Sequence, residues 1–96
     1  MHILAQNRTR LVNSDRVDLY LIEDFSDDKI EEYRLLCGIG THMILLGSFS
    51  NQKRAKEELS FLALALEHEE NDRRMHKGRL SNTYIITPDQ EETPCQ

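Results

Sequence analysis

Apolar residues change their period once along this chain, near residue 50. Before that point they alternate with polar residues. After it they recur every three or four positions. A chain with this single switch reads as short strands followed by one helix. Val17, Leu19 and Leu21 alternate with Asp18, Tyr20 and Ile22, making Val17–Asp24 the clearest strand. Ile30–Cys37 continues the pattern, with Tyr33, Leu35 and Cys37 on one face and Glu32, Arg34 and Leu36 on the other. His42–Phe49 closes the series, and His2–Ala5 and Thr9–Asn13 are shorter candidates. Asn13-Ser14-Asp15, Phe25–Lys29 and Gly38–Thr41 supply turn residues between them. Such short connections favour antiparallel pairing, since a parallel pair needs a long crossover.

The second half is helical. Asn51 or Ser50 can cap its start. Ala55, Leu59, Leu62, Ala63 and Leu66 form an apolar stripe that Phe61, Leu64 and Ala65 widen. Lys53, Arg54, Glu57 and Glu58 are placed on the wet side. From Glu67 to Lys77 the pattern turns polar, which reads as a projecting end, with Gly78 as terminator. Tyr84-Ile85-Ile86-Thr87 is a strand-like island that either joins a sheet edge or meets a partner, and Asp89–Gln96 reads as a flexible acidic tail. The expected fold is α+β: an antiparallel sheet of four or five strands against one long C-terminal helix. The expected division is a single domain over residues 1–80 and an extension over 81–96.

The length of 96 residues sets one modest core, burying roughly two-thirds of the unfolded surface. Hydrophobic residues make up 39% and charged ones 30%, which fits a folded globule. No apolar run nears the roughly 20 residues of a membrane span, and Met1–Arg8 lacks the pattern of a secretion signal. A cytoplasmic location without membrane association is therefore expected. Cys37 and Cys95 form no metal-binding or disulfide pattern; Cys37 reads as a small buried residue and Cys95 as an inert thiol.

Charge is unevenly spread. Seven acids lie between Asp18 and Glu32 against one lysine, within a net charge of -5. This block repels phosphate backbones. Two basic groups stand apart from it. Arg8, Arg10 and Arg16 flank the first turns, where they can contact phosphate or pair with the acidic block. Arg73, Arg74, Lys77 and Arg79 gather at the far helix end, where they can bind an anion or complement the helix dipole. The dipole and ion-pair readings are favoured.

Catalytic, cofactor and metal signatures do not emerge. His2, His42, His68 and His76 lack zinc-site spacing. Asp24, Asp27 and Asp28 lack the spacing and glycine of a calcium loop. No G-x-S-x-G is present, and Gly38-Ile39-Gly40 lacks the third glycine and the following helix of a dinucleotide fingerprint. Glu31 and Glu32 are adjacent on a strand and point to opposite faces. The expectation is a protein without catalytic, cofactor-binding or metal-binding residues.

Leu46-Gly47-Ser48-Phe49-Ser50, followed by Ala55 and Leu59, resembles the sheet-to-helix joint of AP2-type and phage-integrase arm-binding domains. In those domains a three-stranded sheet reads DNA and a helix backs it. Glycine would let the helix approach, the aromatic would close its first turn, and alanine would pack closely. Over residues 3–66 the chain is similar in outline to small proteins of Gram-positive bacteria and their prophages. Leu4-Ala5-Gln6-Asn7-Arg8, Leu11-Val12-Asn13-Ser14-Asp15-Arg16-Val17 and the Leu46–Phe49 joint carry that likeness. It implies the fold and no activity.

One sheet covered by one helix leaves a face and two edges open. Tyr20, Ile22 and Leu36 are expected on the open face, and Tyr84, Ile85 and Ile86 complete the candidate interface. The leading expectation is a noncatalytic, prophage-type accessory module acting by homodimerisation or through a protein partner. The alternative is a nucleic-acid-binding regulator using the two basic groups.

Overall fold

The structure is a computed structural model and describes residues 1–75 and 83–88, with side chains to residue 71 in the helix. Short strands β1 (His2–Leu4) and β2 (Leu11–Asn13) pair antiparallel, with Ile3 opposite Val12. A 3-10 turn over Ser14–Arg16 follows, opened by Asn13 Oδ1, which accepts from the Asp15 N–H at 3.0 Å. Strands β3 (Leu19–Asp24), β4 (Tyr33–Ile39) and β5 (His42–Phe49) form an antiparallel meander in that order. The helix α1 (Gln52–Met75) crosses them, and β6 (Thr83–Ile85) returns to β1.

The α+β class and the meander agree with the alternating pattern. The single sheet does not. There are two sheets of three strands, and β6 lies parallel to β1 in the order β2-β1-β6. A parallel neighbour was invisible from connection lengths because β1 and β6 stand at opposite ends of the described chain, with the whole meander and α1 between them. The helix is also not the last element. Ile86 joins the core and Tyr84 packs against it.

The core lies where the two sheets meet α1. Ile3 and Val12 come from one sheet, Leu35, Cys37, Leu46 and Phe49 from the other, and Ala55 and Leu62 from α1. A bulge between Leu35 and Leu36 leaves Leu46 without an opposite partner on β4, and its side chain is buried. The sheets are bridged by Gln6. Its N–H donates to the Leu46 carbonyl at 2.7 Å. Its side-chain amide exchanges bonds with the backbone of Ser48, at 2.9 and 3.1 Å. Gln6 thus does for the edge of β5 what a strand residue would do. Gly47 is required there: a Cβ on it would meet Ile86 Cγ2 at 3.0 Å. The glycine admits the C-terminal segment, not the helix.

Asn51 caps α1, its Oδ1 accepting from the Arg54 N–H at 2.7 Å. The stripe of Ala55, Leu59, Leu62 and Leu66 faces the core as expected. Ala63, expected within the stripe, is exposed, and so are Phe61 and Leu64, expected to widen it. Glu58, assigned to the wet side, is completely buried. Glu69, expected on a projecting end, is buried against the Met1 ammonium at 2.7 Å.

Candidate interaction surface

Register divides the antiparallel meander into two faces. Tyr20 opposite Cys37, and Ile22 opposite Leu35, put Tyr20, Ile22, Leu35 and Cys37 on the face under α1. Leu21, Leu36 and Leu45 form one row across the other face. Leu19, Gly38 and Met43 form the next row. A Cβ on Gly38 would meet Leu19 Cγ and Met43 Sδ at 3.3 Å each, so those two side chains close over the glycine. The outcome is a contiguous apolar patch facing solvent. Leu45, Leu19 and Met43 are 39%, 46% and 48% exposed. Glycine at the centre keeps the patch shallow, and its neighbours lean inward to fill the gap.

The far end of this face is polar and acidic. Arg34 lies with its guanidinium 4.1 Å from the centre of the Phe25 ring. Its Nε donates to Glu32 Oε2 at 2.6 Å, and the Ser48 hydroxyl donates to the same oxygen at 3.1 Å. These bonds hold the Glu32 carboxyl below the usual range, Arg34 first and Ser48 second. Beyond it, Asp27 Oδ1 accepts from the N–H groups of Lys29 and Ile30 at 2.8 Å. Asp24 Oδ1 accepts from the Ser26 N–H at 2.8 Å. Both carboxyls are lowered by these bonds. Part of the acidic block therefore builds the β3–β4 turn; exposed Glu23, in the row beside Leu21 and Leu36, borders the patch, and exposed Asp28 and Glu31 lie farther out in the turn.

The residues expected at an interface are divided by the fold. Leu36 lies on the open face and Ile85 is exposed. Tyr20 and Ile22 pack against the core, because the hydrophobic cover lies on their side of β3. Tyr84 donates to Glu58 at 2.8 Å and Ile86 is buried. Leu19 and Leu21, which alternate with Tyr20 and Ile22, occupy the open side together with Leu45. Alternation fixes which residues share a face of β3 but not which face α1 covers.

Arg8, Arg10 and Arg16 are not gathered at one site. Arg8 and Arg10 lie in the β1–β2 turn and Arg16 beyond the other end of β2, all exposed. None forms an ion pair among the described residues. Arg73 and Arg74 are in the last turns of α1; their side chains, and all of Lys77 and Arg79, lie outside the described residues.

A polar cluster missed from sequence locks the C-terminal segment. Glu58 accepts from Arg54 Nη1 at 3.2 Å, from the Tyr84 hydroxyl at 2.8 Å, and from both the N–H and hydroxyl of Thr87. Arg54 also reaches Thr87 and the Pro88 carbonyl. The signal was present: Glu58 and Glu69 fall on the same helical stripe as Ala55, Leu62 and Leu66. A buried carboxylate needs such donors to replace water. Among the described residues no group of His, Cys, Asp and Glu could hold a metal ion, and no helix is long and apolar enough to cross a membrane. No protein-family profile, no curated protein and no solved structure matches the chain.

Proposed function

We propose that this chain is a noncatalytic interaction module, a cytoplasmic accessory protein of prophage type, that binds a protein partner through the open face of the β3-β4-β5 sheet. The observation carrying this reading is the outer-face row of half-buried Leu21 and Leu36 with exposed Leu45, beside exposed Leu19 and Met43. A sheet normally buries one face and wets the other. An apolar outer face with a polar rim is the usual anatomy of an association site.

The rim selects the partner. Glu23 borders the patch on the turn side, and exposed Asp28 and Glu31 add negative charge farther out in the turn. They favour a partner whose apolar contact region is bordered by Lys or Arg. They disfavour a second copy laid face to face with its acidic turn alongside. The test compares capture from the native host by the parent chain and by Leu45→Glu. Leu45 is already exposed, so the substitution leaves the fold intact. A basic protein retained by the parent at low salt, released by added salt and lost with Leu45→Glu is the expected result. Equal capture by both chains would rule the face out.

A further inference from the structure

We propose that two copies of this chain pair antiparallel through the solvent side of α1. This goes beyond the partner-binding reading, uses the opposite side of the molecule, and stands without it.

Glu57, Phe61, Leu64, His68 and Asn71 recur along α1 at alternating steps of four and three. That is the spacing of a two-helix seam. At about 3.6 residues per turn this line runs along the side away from Ala55, Leu62 and Leu66. Its central residues are large and open to solvent: Phe61 is 54% exposed and Leu64 52%. Among the described residues no element covers them, and a surface helix with one covered stripe has no internal reason to carry them. A shallow groove beside them is lined by Lys53, Lys56, Glu57, Ser60 and Phe61. It offers the hole into which a side chain from a facing helix can seat.

Charge decides the occupant and its direction. In an antiparallel pair Phe61 of each copy meets Leu64 of the other, and Glu57 meets His68. Lys56, toward the helix start, comes beside Glu67 of the second copy, toward the helix end. Between Glu57 and His68 every seam layer is then apolar on apolar or acid on imidazole, and the flank pairs base with acid. A parallel pair would set Glu57 on Glu57 and His68 on His68, losing both acid–imidazole layers and placing like charges together at the Glu57 level. The same patch serves both copies, as a two-fold interface requires. The consequence is bivalency. α1 covers one side of the meander, so joining two helices back to back leaves both open sheet faces outward.

The test is the mass of the full chain by light scattering or sedimentation equilibrium. With only two apolar layers, the dissociation constant should be micromolar. The parent should approach twice 11.2 kDa as concentration rises. Leu64→Glu should hold the mass at 11.2 kDa with an unchanged urea midpoint, because Leu64 does not belong to the core. Lys56→Glu should weaken the pair about tenfold, two symmetry-related contacts being affected. Adding Glu67→Lys to it should restore the parent value. A parent that stays monomeric, a dimer that survives Leu64→Glu, or one dissociated only by Leu45→Glu overturns the proposal. Capture of a protein partner by the monomeric Leu64→Glu variant would leave the sheet-face reading standing by itself.

Discussion

Glu58 shows how much one side chain can hold in place. It sits in the core and accepts four hydrogen bonds from α1 and the C-terminal segment. Glu58→Ala strands the Tyr84 hydroxyl and leaves Arg54 without its i+4 carboxylate, so unfolding in urea should show a loss of about 3–5 kcal/mol. Tyr20 is the opposite case. Its hydroxyl is buried without a hydrogen-bond partner among the described residues. Tyr20→Phe removes that orphan and should gain about 1 kcal/mol. Burial, with Cys37 and Asp15 nearby, pushes the Tyr20 hydroxyl from 10.0 up to about 12. The folded state therefore keeps a proton that the unfolded state releases. The stability tied to this group is complete below pH 10 and lost between pH 10 and 12. An alkaline melt series should show a shallower decline for Tyr20→Phe; an identical decline would refute the assignment. Arg8 sits at φ 63, where side chains other than glycine are strained. Arg8→Gly should be neutral to stabilising by about 0.5 kcal/mol, the released strain slightly exceeding the entropy lost with glycine.

At the level of elements, the β3–β4 turn is the acid-sensitive part. Asp24, Asp27 and Glu32 all titrate below their ordinary values of 3.8, 3.8 and 4.5, because each accepts hydrogen bonds as a carboxylate. Their contribution is present above those ordinary values and is lost as pH falls through the lowered ones. Protection of the Ser26, Lys29 and Ile30 amides against exchange, relative to their intrinsic rates, should fall in acid before that of β4 does. Asp27→Asn should give fast exchange at Lys29 and Ile30 even at neutral pH. The helix is the element read most completely from sequence. Its cap at Asn51 and its stripe through Ala55 and Leu62 follow from local rules. Leu62→Ala should cost about 2–5 kcal/mol in urea, since Leu62 is fully buried. The error lay in treating every apolar residue near the stripe as core, when Phe61 and Leu64 belong to another side.

For the whole molecule, the decisive feature is that the chain returns after α1. β6 adds a parallel strand to β1, Ile86 fills the space over Gly47, and the Gln6 amide reaches the Thr87 carbonyl at 3.0 Å. A chain ending at residue 80 would lose all three and leave Glu58 without Tyr84 and Thr87. It should lack a cooperative thermal transition, whereas a chain ending at residue 88 should retain the parent melt. The same closure leaves two opposite surfaces open, the apolar sheet face and the back of α1. The first is suited to a partner and the second to a twin.

Local sequence determined the strands of the meander, the turns that Asp24, Asp27 and Asn13 close, and the start and buried stripe of α1. Each depends on neighbours within a few residues, so period and capping chemistry suffice. Tertiary structure decided the rest. Alternation on β3 is symmetric between its two faces, and only the docking of α1 made Tyr20 and Ile22 inner and Leu19 and Leu21 outer. Whether Tyr84-Ile85-Ile86 is a tail or a strand depended on a cavity built by Gly47, Ile3 and Glu58, which no local pattern contains. A carboxylate on a helical stripe reads as surface until a distant hydroxyl and arginine arrive to satisfy it. The reason is the same in each case: burial is a property of the assembled chain, and local periodicity records only which residues will share it.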